Sequence, residues 1–450
     1  MEIHSVILAA GQGTRMRSNL PKVMHPLLGR PLIWYSVESA RQVSGTKPVV
    51  VVGHGADEVR KALGDSVEFV CQDQQLGTGH ALWQAEPALR DKKGLILVTY
   101  ADMPLLTSET LKRLVEAQQS HTGPFTLLTI EVDDPRGFGR VLRGPDGFVR
   151  EVVEEAQATL EQQRIKELNA GVYCFSSDWV WTALPQIPLS PKGEYYLTDL
   201  VGLAVRQGKA VKAITTDDPN EAIGINTRVH LAEAGAVLQR RINKGWMLAG
   251  VTIADPASTY IEPEVKIGQD TVILPNTHLQ GTTEIGEACE IGPNAIIRDT
   301  KIGSRCTILA SVMEGAVLED EVDIGPFGHL RKGAHLATGV HMGNFGEVKN
   351  SYLGPGTKMG HFSYLGDATI EQDVNIGAGT ITCNYDGKKK HPTHIGKGVF
   401  IGSDTMLVAP VNLGEGARTG AGAVVTKDVP EYTLVVGVPA RPLRKVEKDE

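Results

Sequence analysis

The strongest constraint on the fold is an aliphatic side chain that returns at every sixth position through the second half of the sequence. The first series starts at Ile267 and continues through these residues: Ile273, Leu279, Ile285, Ile291 and Ile297. Further series start at Leu318, Leu353, Ile370 and Ile395. An amphipathic helix repeats its apolar residues at three and four positions and an exposed strand at two, so neither explains a strict period of six.

A period of six indicates a short strand followed by a corner, with one large side chain per side pointing into a narrow prism. Glycine often follows the aliphatic residue, as at Ile285-Gly286 and Ile401-Gly402, and it permits the tight backbone of a corner. Stacked coils would pair as parallel strands about 4.8 Å apart. Chance periodicity is the alternative, but it does not account for so many consecutive repeats. We therefore predict a parallel β-helix.

These repeats resemble the left-handed β-helix of acyltransferases and sugar nucleotidyltransferases, and the left hand is implied by that resemblance alone. Such enzymes commonly form trimers with active sites between subunits, so the resemblance implies a homotrimer. Residues 382–394 break the period with a polar insertion. Within a solenoid such an insertion is either a binding loop or a solvated loop without function.

The first half of the chain has the pattern of an α/β nucleotide-binding domain. A buried strand is predicted over residues 3–10, and the turn Gly11–Gly13 with Arg15 follows it directly. The next predicted strands and helices alternate along the chain: strands at 48–52 and 95–99, helices at 32–42 and 108–119. Such alternation predicts a sheet with ligands at the carboxyl ends of its strands. The spacing GxGxxR matches neither a dinucleotide nor a Walker motif, and alone it would also suit an ordinary turn.

Length, charge and composition exclude several classes of protein. A chain of 450 residues is expected to form two or three domains, and no apolar run reaches the length of a membrane span. The net charge of −8 argues against a nucleic-acid binder. Five cysteines without CxxC spacing indicate neither a zinc site nor a disulfide framework. The N-terminus lacks a basic leader, so we expect a soluble cytoplasmic protein.

The longer motifs are more specific than the glycine turn. The segment Leu8–Met16 with Leu20–Lys22 is similar to the signature of sugar-1-phosphate nucleotidylyltransferases. Residues 75–81, QLGTGHA, resemble the base-recognition segment of the uridylyltransferase branch. The segments Tyr100–Asp102 and Gly224–Asn226 follow in the order of that family.

Together with the hexads, these motifs resemble over nearly the whole chain one family: the bifunctional N-acetylglucosamine-1-phosphate uridylyltransferases and glucosamine-1-phosphate acetyltransferases. The resemblance implies a Rossmann-like nucleotidyltransferase domain with a mixed sheet, followed by a left-handed parallel β-helix of hexapeptide repeats. The implied boundaries are residues 1–227 for uridylyl transfer, 228–249 for a linker helix and 250–450 for acetyl transfer. The implied substrates are UTP, glucosamine 1-phosphate, N-acetylglucosamine 1-phosphate and acetyl-coenzyme A.

For uridylyl transfer the resemblance implies magnesium held by Asp102 and Asn226, with Arg15 and Lys22 acting on the phosphates. Magnesium suits oxygen ligands and substrate phosphates. The implied ligands of UTP and UDP-N-acetylglucosamine are these residues: Leu8, Ala9, Ala10, Gly11, Lys22, Gln72, Gly77, Thr78, Tyr100, Ala101, Gly139, Glu154, Asn169 and Asn226. The alternative for Asp102 is a helix-cap or turn aspartate, and for Glu154 one member of a solvated acidic run.

For acetyl transfer the resemblance implies His361 as the base that deprotonates the amine, a task suited to histidine near neutral pH. The implied ligands of glucosamine 1-phosphate are Arg331, Lys349, Tyr364 and Asn375. Those of acetyl-coenzyme A are Ala378 (through its N–H, as oxyanion donor), Asn384, Tyr385, Ser403 and Ala421. Cys383 would serve as a nucleophile only in an acyl-enzyme route, which direct transfer does not need.

The sequence departs from the family pattern at two points. Ala101 stands where glycine is usual, and we expect its methyl group to narrow the sugar site. Gly437 stands where some relatives carry an arginine that contacts coenzyme A, and Arg441 and Arg444 are candidates to replace it.

Two rival functions remain open. In one, the β-helix of a nucleotidylyltransferase serves only assembly or regulation; His361, Lys349 and Asn384 argue against it. In the other, the chain is a non-catalytic regulatory subunit, and Arg15 and Lys22 argue against that.

Overall fold

The computed structural model describes residues 1–135 and 137–446. The described chain divides into two compact units, Met1–Leu238 and Gln239–Glu450. Its helices are α1 (Leu32–Ser44), α2 (Ala56–Leu63), α3 (Thr78–Trp83), α4 (Glu86–Leu89), α5 (Ser108–Gln119), α6 (Ser177–Ala183), α7 (Asp199–Arg206) and α8 (Arg228–Leu248). None of the helices in the described ranges is both long and apolar enough to cross a membrane.

The first unit is built on a mixed sheet, which has nine strands among the described residues. The strands of this unit are β1 (Ile3–Ala9), β2 (Pro26–Leu27), β3 (Arg30–Pro31), β4 (Val49–Val52), β5 (Glu68–Cys71), β6 (Leu95–Tyr100), β7 (Phe125–Glu131), β8 (Arg140–Arg143), β9 (Val149–Val153), β10 (Glu167–Ser176) and β11 (Lys212–Thr215). The sheet order is β11-β7-β10-β6-β1-β4-β5, and β8 pairs with β9 and β10, whereas β2 and β3 form a separate pair. Strands β6, β1, β4 and β5 are parallel, and β10 is antiparallel to both of its neighbours.

Helices cover both faces of this sheet because successive residues of each strand point to opposite sides. Val6 and Leu8 of β1 pack in one cluster with residues of α3, α4, α6 and α7. Ile7 and Ala9 pack in another with α1 and α2. A strand buried on both faces reads as a continuous apolar run, which is why residues 3–10 were predictable. The strands and helices expected at 32–42, 48–52, 95–99 and 108–119 are confirmed as α1, β4, β6 and α5.

The second unit is a prism of short strands that are parallel except for the last, which is antiparallel to the strand before it. In chain order they are β12 (Thr252–Ile253), β13 (Tyr260–Ile261), β14 (Lys266–Ile267), β15 (Val272–Ile273), β16 (His278–Gln280), β17 (Glu284–Ile285), β18 (Glu290–Ile291), β19 (Ile296–Arg298), β20 (Lys301–Ile302), β21 (Thr307–Ile308), β22 (Val312–Glu314), β23 (Val317–Leu318), β24 (Asp323–Ile324), β25 (His329–Leu330), β26 (His335–Leu336), β27 (His341–Met342), β28 (Gly346–Lys349), β29 (Tyr352–Leu353), β30 (Lys358–Met359), β31 (Ser363–Gly366), β32 (Ala368–Ile370), β33 (Asn375–Ile376), β34 (Ile381–Cys383), β35 (Thr393–Ile395), β36 (Phe400–Ile401), β37 (Met406–Val408), β38 (Val411–Leu413), β39 (Arg418–Thr419), β40 (Val424–Val425), β41 (Thr433–Val436) and β42 (Arg441–Lys445).

From β15 to β40 each strand pairs with the strand three places before it, so the strands of the described prism form three sheets, and β41 and β42 extend the first of them. The first sheet begins at β12, the second at β13 and the third at β14. The buried aliphatic residues of all three sheets join in a single core cluster. This is the parallel β-helix of hexapeptide repeats predicted from the sequence, and the fold class is confirmed, including its left-handed type.

The apparent gap between Ile297 and Leu318 is not a break in the prism. Ile302, Ile308 and Met313 fill the interior there and are fully or almost fully buried. The registers Ile291↔Ile308 and Ile308↔Ile324 show that these coils are shorter than eighteen residues. The six-residue series does restart at Leu318, but the prism is continuous from Ile297, because a side of five residues still turns a corner and keeps its aliphatic residue inside.

The second half of α8 belongs to this unit and closes its first coil. The side-chain nitrogen of Gln239 donates to the carbonyl oxygen of Thr259 at 2.8 Å, and that of Asn243 donates to the carbonyl oxygen of Pro256 at 2.9 Å. Trp246 packs against the core cluster. The helix thus satisfies backbone groups that would otherwise end in an exposed edge.

Candidate active sites

The glycine turn and Asp102 lie at the same edge of the first unit because their strands are parallel neighbours. Leu8 of β1 is in register with Tyr100 of β6, and the amide of Ala101 donates to the carbonyl oxygen of Leu8 at 3.1 Å. Residues that follow parallel strands meet at their carboxyl ends, where α/β sheets bind ligands. The sheet therefore brings the phosphate loop and Asp102 together.

Lys22 lies between the two predicted metal ligands. Its Nζ is 2.5 Å from Asp102 Oδ2 and 3.1 Å from Asn226 Oδ1. Gly13 allows this approach: its φ is +64°, and a Cβ there would be 2.5 Å from the Cβ of Lys22. The amide of Ile225 donates to the carbonyl oxygen of Asp102 at 2.8 Å and fixes the segment that carries Asn226. Three distant segments thus converge on one cation.

The donor set at this point fits a magnesium ion. A carboxylate oxygen and an amide oxygen face the same cationic atom, and Mg²⁺ prefers oxygen ligands completed by water and substrate phosphates. In the described part of the chain there is no group of three or more His, Cys, Asp or Glu that would form a closed protein cage. The two oxygens are therefore suited to an ion shared with a phosphorylated substrate.

A cavity of about 1080 Å³ opens beside these groups. The predicted site residues that line it are Arg15, Thr78, Tyr100, Asp102, Gly139, Glu154, Asn169 and Asn226. Leu8, Ala9 and Ala10 are buried at the strand end below the phosphate loop, whereas Gly11 is exposed. The size of the cavity and its mixture of polar and aromatic lining groups suit a nucleotide or a phosphorylated sugar.

Ala101 is placed differently from what we expected. Its side chain is fully buried and packs in the cluster that contains Ile7, Ala9 and Ile33, behind the strand end. Among the described residues it does not line the cavity. The position of Ala101 therefore does not support the expectation that its methyl group narrows the sugar site.

Glu154 is half-buried on the cavity wall and is not part of a solvated acidic run. Burial raises the pKa of its carboxyl group, while a hydrogen bond donated by the Thr198 hydroxyl at 3.3 Å opposes that shift. Nearby, Asn169 Nδ2 donates to the Tyr173 hydroxyl at 2.9 Å. Thr198 and Tyr173 were missed in the sequence, and the aromatic and polar run at 195–198 was the signal that would have found Thr198.

The base-recognition segment is held by a loop that lies far from it in sequence. Thr78 Oγ1 accepts a hydrogen bond from the amide of Leu197 at 3.2 Å, and the amide of Gly79 donates to the carbonyl oxygen of Tyr195 at 2.8 Å. Gly77 has a φ of +93°, and a Cβ there would be 2.7 Å from the oxygen of Tyr195. Glycine is therefore required at this position by both conformation and space.

In the second unit, four predicted acetyl-transfer residues occupy one column. We name the turn that joins the first sheet to the second the first corner. The registers Lys358↔Asn375, Asn375↔Phe400 and Phe400↔Arg418 place at that corner, on successive coils, the following residues: His361, Ala378, Ser403 and Ala421. Within residues 1–135 and 137–446 the amide N–H of Ala378 has no hydrogen-bond acceptor, so it is free to stabilise an oxyanion.

A group of cations lies at the second corner, the turn from the second sheet to the third. Arg331 and Lys349 occupy equivalent positions on successive coils, since Leu330 is in register with Val348. The neighbouring Lys390 ammonium, and then the Arg331 guanidinium, lower the pKa of the Lys349 amine. Glu347 Oε1 accepts a bond from Arg331 at 2.9 Å. Concentrated positive charge of this kind suits a phosphate group.

Lys390 comes from the polar insertion, which is an ordered loop. Asp386 accepts bonds from the amides of Lys388 and Lys389 at 2.7 Å each, and these bonds with His391 hold its pKa far below the usual range. Asn384 Nδ2 donates to Asp367 Oδ2 at 2.6 Å, and this oxygen is 3.8 Å from Lys390 Nζ. Lys390, Asp367 and Glu347 were not predicted; the run of three lysines was the available signal.

Of the remaining predicted residues of this unit, Tyr364 lies near the cations, because it is in register with Glu347 and its hydroxyl lies beside Gly366 at the second corner. Tyr364 is on β31 of the second sheet, between the two corners, whereas Asn375 is on β33 of the first sheet. Tyr385 is 61% exposed on the insertion. Arg441 stands opposite Val436 in the antiparallel pair β41–β42 and is exposed. One chain therefore presents the His361 column and the cation group at different corners of its prism.

Comparison with known proteins agrees with this architecture. Residues 5–171 match the model of the MobA-like NTP transferase domain. Residues 264–299 and 392–427 match that of the bacterial transferase hexapeptide (six repeats).

Curated relatives match along almost the entire chain. A protein of Heliobacterium modesticaldum named "Bifunctional protein GlmU" is 47% identical over 96% of this chain and 94% of its own. Proteins of the same name from Geotalea uraniireducens and Shouchella clausii are 48% and 44% identical, over 96% and 99% of this chain and 95% and 97% of their own.

Proposed function

This chain belongs to the family of bifunctional GlmU proteins, and on that premise we propose that it makes UDP-N-acetylglucosamine in two steps. The second unit transfers the acetyl group of acetyl-coenzyme A to glucosamine 1-phosphate. The first unit then transfers uridylyl from UTP to the N-acetylglucosamine 1-phosphate so formed. The single observation that carries the proposal is the presence in one chain of two separate sets of groups, each suited to one of these reactions.

In acetyl transfer, His361 takes a proton from the amino group of the sugar, and the amine nitrogen attacks the thioester carbonyl carbon. The C–S bond breaks, and coenzyme A leaves as a thiolate that takes up the proton held by His361. The free N–H of Ala378, one coil away at the first corner, would donate to the carbonyl oxygen as negative charge develops on it. Ser403 and Ala421 continue the same column and would hold coenzyme A.

Arg331 and Lys349 with Lys390 would bind the phosphate of the sugar, together with Tyr364 and Asn375 from two different sheets. Because the cations and His361 occupy different corners of one prism, a homotrimer with sites between its β-helices would complete the constellation. Asn384 and Tyr385 on the insertion are then the proposed contacts for acetyl-coenzyme A.

In uridylyl transfer, a phosphate oxygen of N-acetylglucosamine 1-phosphate attacks the α-phosphorus of UTP and pyrophosphate leaves. Arg15 and Lys22 would neutralise the phosphates and stabilise the developing charge. Magnesium, held by Asp102 and Asn226, would supply further neutralisation of phosphate charge when bound.

The cavity wall supplies the groups that would select the substrates. Glu154, Asn169 and Gly139 would contact the sugar, and Gln72, Gly77 and Thr78 the uracil base. Hydrogen-bonding side chains of both acceptor and donor type match sugar hydroxyls.

We assign uridylyl transfer to residues 1–227, a linking role to helix 228–249 and acetyl transfer to residues 250–450. All five cysteines are unpaired, which supports a reducing compartment such as the cytoplasm.

The test measures both reactions on the full chain. Coenzyme A should be released with glucosamine 1-phosphate and acetyl-coenzyme A, and pyrophosphate with N-acetylglucosamine 1-phosphate and UTP. His361→Ala should abolish only the first reaction, so the second serves as its control for folding. Pyrophosphate release without coenzyme A release by the parent chain would support the rival with a structural β-helix, and neither release would support the regulatory subunit.

A further inference from the structure

Lys22 and Asn226 reach the same point from segments that are 204 positions apart in the sequence. Lys22 begins a single turn of 3-10 helix, Lys22–Met24, and the amide of His25 closes that turn by donating to the carbonyl oxygen of Lys22 at 3.3 Å. Asn226 lies two residues before Arg228, the first residue of α8. The distance between the two side chains therefore depends on how this turn and the start of α8 are held together.

A hydrogen bond between Arg228 and His25 joins the two segments directly. Arg228 Nη1 lies 3.2 Å from His25 Nδ1. A guanidinium group only donates hydrogen bonds, so Nδ1 is the acceptor and the neutral imidazole carries its proton on Nε2. Burial, and then the charge of Arg228, lower the pKa of His25, and both therefore favour the neutral ring that can accept. The chemistry of arginine thus decides the direction of this hydrogen bond.

The acceptor of this bond is held firmly by the structure around it. His25 is only 2% exposed. Its carbonyl oxygen accepts a hydrogen bond at 3.1 Å from the amide of Leu32, the first residue of α1. Apolar residues from both sides of the Arg228–His25 bond also pack in one core cluster, which includes Leu27, Leu32, Ile225, Ala234 and Val237. Arg228 is therefore bonded to a group that has no room to follow its motion.

We infer that His25 and Arg228 are positioning residues that hold Lys22 against Asn226. Among the described residues, Asp102 and Asn226 line the cavity, whereas His25 and Arg228 do not. Their hydrogen bond closes a ring with the contact of 3.1 Å between Lys22 Nζ and Asn226 Oδ1. Because the stem of a lysine is flexible, a second link between the same two segments restricts where its ammonium lies. The inference rests on the proposed uridylyl transfer.

The test measures kcat and KM for pyrophosphate release from UTP and N-acetylglucosamine 1-phosphate by the full chain. Arg228→Met removes the donor at an exposed position, and kcat should fall about 10- to 100-fold, the scale of misplacing a catalytic group by about 1 Å. Both KM values should change less than twofold, because Arg228 does not line the cavity. His25→Leu, which removes the acceptor, should lower kcat equally. His25→Asn, whose amide oxygen can replace Nδ1 as the acceptor, should keep kcat within threefold of the parent.

The matched control is Arg240→Met, which removes a second exposed arginine of α8 and should leave kcat unchanged. Because His25 and Arg228 act through one hydrogen bond, Arg228→Met should have no further effect on kcat in a His25→Leu background. It should also have none in a Lys22→Met background, where the ammonium that the bond positions is absent. A bond that only stabilised the fold would instead lower the melting temperature and leave kcat of the folded chain unchanged.

A kcat of Arg228→Met within twofold of the parent would overturn the inference, as would a second fall of similar size when Arg228→Met is added to His25→Leu. If His25→Leu does not fold, Arg228→Met and His25→Asn decide. A fall in the first with retention in the second supports the inference, and a fall in both contradicts it. Failure of the parent chain to release pyrophosphate from UTP would instead refute the proposed function, so the two failures are distinguishable.

Discussion

The ammonium of Lys22 lies 2.5 Å from the carboxylate of Asp102, and it places a fixed cation where a phosphate and a metal would meet. Both side chains are mostly buried, so the pair is shielded from solvent. We expect Lys22→Met to lower kcat for uridylyl transfer about 100- to 1000-fold, the scale of losing one charge-stabilising group. Acetyl transfer should stay within twofold of the parent, and Lys47→Met, an exposed lysine in the same unit, should change neither rate.

Because Asp102 and Asn226 are the proposed magnesium ligands, we expect uridylyl transfer to require a divalent cation and acetyl transfer not to require one. Removal of divalent cations with a chelator should abolish uridylyl transfer and leave acetyl transfer unchanged. Only the site of uridylyl transfer combines oxygen ligands from the protein with substrates that react through their phosphate groups. Asp102→Asn should raise the magnesium concentration for half-maximal uridylyl transfer at least tenfold. A half-maximal concentration equal to that of the parent would place the ion elsewhere.

Glu154 should affect both the pH dependence of stability and the binding of the sugar phosphate. Burial raises the pKa of its carboxyl group above the ordinary 4.5, so the folded chain binds this proton more tightly than the unfolded chain. The stability that the group contributes is therefore fully present below pH 4.5 and is lost as the pH rises through the higher folded value. Relative to the parent, Glu154→Gln should gain stability across that window, measured by thermal unfolding between pH 4 and 7.

The same variant should raise the KM for N-acetylglucosamine 1-phosphate about tenfold, because an amide replaces an acceptor carboxylate. Glu151→Gln, at an exposed neighbouring position, is the control for both measurements. A pH dependence identical to that of the parent would mean that Glu154 is solvated in solution.

Ala101→Gly should affect stability rather than substrate affinity. The buried methyl group belongs to the core cluster that contains Ile7 and Ile33, and its removal combined with the flexibility of glycine should cost about 1–2 kcal/mol of unfolding free energy. Both Michaelis constants should change less than twofold. A selective fall in the constant for the sugar phosphate would restore our expectation that the methyl group narrows the sugar site.

Gly343 should control the position of His361 through backbone contact. A Cβ at Gly343 would lie 2.0 Å from the carbonyl oxygen of Gly360, the residue before His361. We expect Gly343→Ala to lower acetyl transfer at least tenfold, because the shift of Gly360 moves the base, and to lower the melting temperature of the prism. The control is Gly268→Ala, several coils away from His361, whose Cβ would lie 2.5 Å from the carbonyl carbon of Gly286. It should destabilise the prism without reducing kcat of the folded chain.

The sequence by itself determined the architecture of both units. In the prism each side of a coil contributes one interior residue, so the spacing of the aliphatic residues gives the number of residues in each side. The strands and helices of the first unit could be predicted equally well, because strands buried on both faces alternate with amphipathic helices. The insertion was predictable for the same reason, since it interrupts the six-residue period; its predicted bounds of 382–394 were too wide, because residues 382–383 and 393–394 belong to the paired strands β34 and β35.

Only the tertiary structure decided which side chains meet. Lys390 approaches Lys349 because a loop folds across the second corner, and Thr198 reaches Glu154 from 44 positions away in sequence. Ala101 lies in the core although its neighbours Tyr100 and Asp102 line the cavity, since successive residues at a strand end face opposite sides. A local pattern records what one segment buries, whereas hydrogen bonds and ion pairs join groups whose distance depends on the register of the whole sheet.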